Sequence, residues 1–223
     1  ETWLQVLDFV KHVRPQVVMV SGGEPTLHPR CIDWCRALLD AGFFVVLASN
    51  GSFIDHMRIA HELQALNAEY EGLFLVQVTC DPRFYPNAAA RLPRLAELGI
   101  EVEKGIREVI PAGRALLNHP EAQKTALSPK CANIYLMAKQ LHKQGPVGLH
   151  DVLIGMESHK KVCTPLIDPY GNILAGEMSM CRRLGHVADS MQANTMTALI
   201  AGRPCDACGM MKNMAPRYKA LLE

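Results

Sequence analysis

The sequence predicts an α/β protein with a parallel sheet, followed by a small cysteine-rich C-terminal domain. Three observations carry that expectation. Strand-like runs begin at positions 16, 43, 73 and 100, spaced by 27, 30 and 27 residues, the length of one βα unit with its return crossover. The runs are nearly continuous in apolar residues, as in a sheet covered on one or both faces. Half of the eight cysteines fall in the last 61 of 223 residues, where the rhythm is gone. The same repeat suits an open sheet or a β/α barrel, and periodicity does not choose between them.

The elements follow in order. Trp3, Leu7, Val10 and Val13 recur at helical spacing, so residues 2–13 form a helix with one apolar face. Gln16–Val20 is a β-branched strand ending in Ser21-Gly22-Gly23. Residues 29–40 form the next helix, with Pro29 in its first turn and Gly42 beyond its end. Phe43–Ala48 is a buried strand closed by Ser49-Asn50-Gly51, and residues 53–67 are helical. Leu73–Cys80 is the third strand, Ala88–Leu98 a helix ended by Gly99, and Ile100–Val102 the fourth strand. Beyond Pro111, residues 131–141 read as a helix and 147–154 as a strand. From Glu157 the pattern is irregular, with connections at 168–171 and 185–189, a knuckle at 204–208 and a short helix at 215–222. These features place residues 1–155 in one domain and 156–223 in a second.

Composition excludes several classes. With 23 basic against 22 acidic residues the formal charge is +1, so neither nucleic acid nor an anionic membrane surface is expected as a partner. The longest apolar runs resemble Phe43–Ala48, far short of a membrane span. At 49% hydrophobic residues the chain is no disordered segment. No signal peptide is visible, and the expected location is cytoplasmic. In that setting the late cysteines read as metal or cluster ligands rather than disulfides.

The stretch Val17-Val-Met-Val-Ser-Gly-Gly-Glu-Pro-Thr-Leu-His-Pro29 is the most informative. A strand ends in two glycines, an acid and a proline. Paired glycines permit φ > 0 and let a ligand approach the backbone. Glu24 stands at the carboxyl end of a strand, where α/β folds place ligands, and an acid there suits an ammonium group. The plain alternative is a turn whose glutamate is solvated.

The longer string resembles the GGEP motif of radical S-adenosylmethionine (radical SAM) enzymes, including its Thr-Leu-His-Pro extension. The resemblance implies that Gly22, Gly23, Glu24 and Pro25 bind the amino group of the methionine moiety. Ser49-Asn50-Gly51 resembles the family's Thr/Ser-Asn-Gly at the end of the next strand. Thr79-Cys80-Asp81 falls where the family places polar residues near the ribose. The resemblance makes Ser49, Asn50 and Asp81 further candidate cofactor contacts. Gly113-Arg114-Ala115 resembles a segment of members with C-terminal cluster domains. The implied fold is the family's partial, TIM-like β/α barrel.

The family's C-x3-C-x2-C, which holds the catalytic 4Fe–4S cluster upstream of GGEP, does not occur in these 223 residues. Cys31–Cys35 has the first spacing, but position 38 is leucine and the pair follows GGEP. Both cysteines, and Cys80, are expected to be packing residues. The chain starts at Glu1 rather than Met, and the expectation is a fragment lacking the first strand and cluster loop, against a degenerate homologue that lost them. The catalytic cluster is expected only with that region restored. By themselves these residues should not cleave S-adenosylmethionine.

Cys163, Cys181, Cys205 and Cys208 supply four thiolates, the last two as a C-x2-C knuckle. From spacing, zinc and iron–sulfur clusters both fit. Val162-Cys-Thr-Pro-Leu-Ile-Asp-Pro-Tyr-Gly171 and Leu184-Gly-His-Val-Ala188 resemble segments of SPASM and twitch domains, and Pro204-Cys-Asp-Ala-Cys208 resembles their later knuckle. That resemblance implies one auxiliary 4Fe–4S cluster; zinc stays the alternative from spacing, and Cys131 reads as a helix-packing residue or as an alternative ligand. The late methionines read as flexible packing. His28 reads as structural, and His56, His61, His142 and His150 as surface or boundary residues. Arg83 and Tyr85 are placed near the expected cavity, and Arg107 reads either as a contact for the carboxylate or ribose of S-adenosylmethionine or as a surface arginine.

The resemblance implies hydrogen abstraction by a 5′-deoxyadenosyl radical from a peptide, protein or small-molecule substrate, with flavodoxin or ferredoxin as electron donor. Two other readings stand beside it. One is a catalytically inactive scaffold or zinc-stapled binding domain. The other is an unrelated α/β enzyme with a Gly-Gly-Glu turn.

Overall fold

The computed structural model describes residues 2–80, 85–105, 165–176 and 181–201. The chain divides into two compact units: Val10–Glu108, and Val109–Glu223 together with Glu1–Phe9. The boundary near 155 and the elements expected at 131–141, 147–154 and 215–222 lie outside the described residues.

Helix α1 (Thr2–Val13) has the expected face, with Leu7 and Val10 buried and Trp3 and Val13 half-buried; Phe9 is buried as well. Arg14 ends it with φ 50°, and Pro15 prevents its continuation. Four strands then form one parallel sheet: β1 (Val17–Val20), β2 (Phe44–Ser49), β3 (Phe74–Thr79) and β4 (Val102–Gly105). They lie side by side in chain order. Val17 pairs with Phe44, Val45 with Phe74, and Val76 with Val102. This parallel α/β sheet is the architecture the 27–30 residue rhythm predicts.

Burial follows position in the sheet. Val45 through Ser49 of β2 are all buried, so the strand is covered on both faces. β3 alternates, with Phe74, Val76 and Val78 inside. β1 is an edge among the described strands, and Val17 and Met19 are 51% and 47% exposed. Helices α2 (Cys31–Asp40), α3 (Met57–Glu69) and α4 (Ala88–Glu97) connect the strands. They bring Leu38, Leu63, Leu66 and Leu95 into the core. Pro93 lies on the exposed side of α4, where its missing N–H removes one helical rung.

Two helix boundaries differ from expectation. The helix expected from Pro29 begins at Cys31, preceded by a 3-10 turn over Pro25–Leu27. The helix expected over 53–67 is a 3-10 turn at Ser52–Asp55 and then α3. His56, with φ −119° and ψ 88°, separates the two pieces. The reason is burial: Phe53 and Ile54 are both inside, and the break turns them inward ahead of the helix.

In the second unit, β5 (Leu166–Ile167), β6 (Asn172–Leu174) and β7 (Arg183–His186) form an antiparallel sheet. Helix α5 (Met191–Ile200) follows. Gly185 and His186, expected in a connection, belong to β7. Residues 191–200, expected to be irregular, are helical. Ser190 caps α5 by accepting from Ala193 N at 3.3 Å. This helix buries Asn194 and Thr197 and exposes Met191, Met196, Leu199 and Ile200. Its outward apolar residues reverse the usual amphipathic pattern, so apolar periodicity gave no helical signal. Among the described residues no helix is long and apolar enough to cross a membrane.

Candidate functional site

Parallel pairing puts the carboxyl ends of β1–β4 along one edge of the sheet. Ser21–Glu24 leave β1 there, and Ser49-Asn50-Gly51 complete β2 beside them. Glu24 is extended, with φ −138° and ψ 104°, and caps the 3-10 turn at Pro25–Leu27. Pro25 fills the first position of that turn, where no N–H is needed.

The Glu24 carboxylate spans both loops. Its Oε1 accepts from Thr26 N at 3.2 Å, Thr26 Oγ1 at 2.6 Å and Ser49 Oγ at 2.8 Å. Its Oε2 accepts from Asn50 N at 2.7 Å. Ser49 Oγ in turn accepts from Gly51 N at 3.0 Å, and Asn50 Oδ1 from Ser52 N at 2.8 Å. Thr26 and Ser49 are 4% and 3% exposed, and Glu24 is half-buried. A merely solvated glutamate is therefore not what this turn contains. It holds a carboxylate fixed between two βα loops.

The diglycine works differently from one half of its expectation. Gly22 has φ 159°, beside the extended range, and Gly23 has no positive φ, so left-handed backbone does not explain the pair. Close approach remains: a Cβ at either glycine would meet nothing within 4 Å, and both are exposed. The open space lies next to Glu24 in the chain.

The fold thus brings together Gly22, Gly23, Glu24, Pro25, Ser49 and Asn50. Asp81, Arg83 and Arg107 lie outside the described residues, and Tyr85 is half-buried. Thr26 was not singled out from sequence. Its signal was Glu-Pro-Thr, an acid two residues before a hydroxyl at the start of a turn. His28 has a structural role: its ring stacks on Trp34 with centroids 4.1 Å apart, and its Nδ1 accepts from Arg30 N. Trp34 is accordingly half-buried beside that ring rather than inside the core.

Cys31 and Cys35 are buried in α2 as expected. The Cys35 thiol is pushed up by its hydrogen bond to Cys31 and by burial. Near the second loop, Asp55 pairs with Arg91 at 2.8 Å and Arg94 at 3.2 Å. The hydrogen bond from Arg91 comes first among the causes that lower its carboxyl.

Of the four proposed cluster ligands, Cys181 is described and half-buried just ahead of β7, whereas Cys163, Cys205 and Cys208 lie outside the described residues, as does Cys131. Among the described residues, no group of three or more His, Cys, Asp or Glu is placed to hold a metal ion.

The hairpin following Cys163 in sequence is well defined. Asp168 Oδ1 accepts from Tyr170 N and Asn172 N, each at 2.9 Å, and Oδ2 accepts from Asn172 Nδ2 at 2.8 Å. Gly171 has φ 88°, and an added Cβ would stand 2.9 Å from His186 Nε2 and Val187 Cγ2. His186 pins the turn: Nδ1 accepts from Ala188 N, which leaves Nε2 to donate to Tyr170 O at 2.8 Å. Asn194 Nδ2 donates to Val187 O and Asp189 O, fastening α5 to the same corner.

Compared with models of protein families and with curated proteins, the chain matches none.

Proposed function

We propose that this chain carries the S-adenosylmethionine-binding sheet of a radical SAM enzyme, with a SPASM- or twitch-like domain holding one auxiliary 4Fe–4S cluster. The observation that carries the reading is the Glu24 carboxylate, held across two βα loops beside an open diglycine at the carboxyl edge of a parallel sheet. The strand order adds support. Among the described strands the order follows the chain, without the reversal that makes the ligand crevice of an open doubly wound sheet, and this favours a partial barrel.

The donor set suits an amino-acid end. Among the described residues, Oε2 of Glu24 carries one hydrogen bond, which leaves a lone pair for an ammonium. The exposed backbone of Gly22 and Gly23 admits close approach, Asn50 flanks the carboxylate, and Asp81 would serve the ribose. Cys163, Cys181, Cys205 and Cys208 would hold the auxiliary cluster. When bound with a reduced catalytic cluster, S-adenosylmethionine supplies hydrogen-abstracting radical chemistry; the residues of this chain bind and orient it and limit side reactions. The substrate would be a peptide, protein or small molecule, the electron donor flavodoxin or ferredoxin, and the setting cytoplasmic.

The alternative reading is a catalytically inactive scaffold or a zinc-stapled binding domain. Anaerobic purification with iron, sulfide and zinc analysis, combined with calorimetry of S-adenosylmethionine, tests both. The proposal expects iron with matching sulfide and measurable binding that Glu24→Gln abolishes. One zinc without sulfide overturns the cluster assignment, and absence of binding overturns the cradle.

A further inference from the structure

We infer that Thr26 and Ser49 are positioning residues that saturate one oxygen of Glu24 and thereby dedicate the other to the ligand's ammonium group. The inference rests on the proposed reading of the cradle and extends it to residues outside the Gly-Gly-Glu itself.

The two carboxylate oxygens are unequal. Oε1 receives three donors, two from Thr26 and one from Ser49, which fills its acceptor capacity. Among the described residues, Oε2 receives the Asn50 amide alone. Both hydroxyls are buried, so water does not readily replace them. Their polarity is also fixed. Ser49 Oγ accepts the Gly51 amide, which directs its own proton toward Glu24. The Thr26 contact, at 2.6 Å, is short in the way of hydrogen bonds to an ionised acceptor. The backbone amides of Thr26 and Asn50 pull the carboxylate from opposite loops. Its plane is therefore held before any ligand arrives, and an incoming cation meets an oriented lone pair rather than a mobile side chain. Remove either hydroxyl and Oε1 competes for the cation from a loosened position.

The consequence is selectivity. The hydroxyls should matter to a ligand with an α-ammonium group and not to one that shares only the nucleoside part. The probes are S-adenosylmethionine and 5′-methylthioadenosine, which keeps the adenosine and sulfur but lacks the amino-acid end. Each is titrated by calorimetry into the full chain and into Thr26→Val, Thr26→Ser and Ser49→Ala, with thermal unfolding recorded for every variant. Thr26→Val and Ser49→Ala should each weaken S-adenosylmethionine about tenfold, the scale of one hydrogen bond to an ionised group. Both should hold 5′-methylthioadenosine within about twofold, and Thr26→Ser should restore the wild-type preference. Equal weakening of both ligands would mean that the hydroxyls only shape the loops, and the inference fails. Unchanged S-adenosylmethionine affinity in the variants also overturns it. If the wild-type chain binds neither ligand, or binds S-adenosylmethionine no tighter than 5′-methylthioadenosine, the cradle reading itself fails, and the failure is visible before any variant is made.

Discussion

Glu24 and Asp168 both sit at turns next to strands, and both gather backbone amides, yet they are built for different ends. Asp168 spends its oxygens within its own turn, on Tyr170 and Asn172. Glu24 reaches from the β1 loop to residues 25 and 26 positions away in sequence, Ser49 and Asn50. The first arrangement closes a hairpin from within. The second ties the loop after β1 to the loop after β2 at the carboxyl edge of the sheet. A carboxylate satisfied by near neighbours defines local shape; one held across two loops beside an open diglycine can both shape and bind.

The comparison can be broken in several ways. The largest effect falls on the hairpin. Gly171→Ala combines a left-handed φ with a contact of 2.9 Å, and should cost about 2–3 kcal/mol. Hydrogen exchange at Val187, whose amide bonds to Gly171 O, should report it; protection unchanged would mean the corner adapts freely.

Glu24→Gln comes next. The substitution removes a charged acceptor of four hydrogen bonds and should destabilise the first unit by about 1.5–3 kcal/mol in denaturant unfolding. It should also eliminate S-adenosylmethionine binding, whereas Asp168→Asn leaves binding intact. Equal binding losses from the two would erase the distinction drawn above.

Asp168→Asn should cost less than about 1 kcal/mol, since the turn lies near solvent. Its signature is in pH. Desolvation raises the Asp168 carboxyl, but hydrogen bonds from Asn172 and Tyr170 and the Arg183 charge outweigh it and hold it below its ordinary value. A lowered folded-state value means stabilisation present above about pH 4 and lost as pH falls through the folded value. Acid titration of Tyr170 and Asn172 amide exchange should show that loss in the wild type and not in Asp168→Asn.

The sheet was largely legible because β-branched runs and βα spacing are set by burial that repeats along the chain. Phe44–Ser49 and Phe74–Thr79 fall within a residue of expectation. The breaks at Pro25–Leu27 and His56 were not, because they depend on where Glu24, Phe53 and Ile54 are held in three dimensions. Helix α5 carries no legible signal because its buried side holds Asn194 and Thr197, the reverse of an apolar stripe. In the site, Glu24, Ser49 and Asn50 were visible through their motifs. Thr26 became visible only with the turn that folds its hydroxyl onto Glu24.

The outward side of α5 also has a chemical consequence under oxidants. Met191 and Met196 are 78% and 58% exposed, so peroxide reaches their thioethers without unfolding the helix. Mild peroxide treatment followed by peptide mass analysis should place sulfoxide on both while the hairpin persists. Oxidation would turn an apolar helix surface into a polar, chiral one.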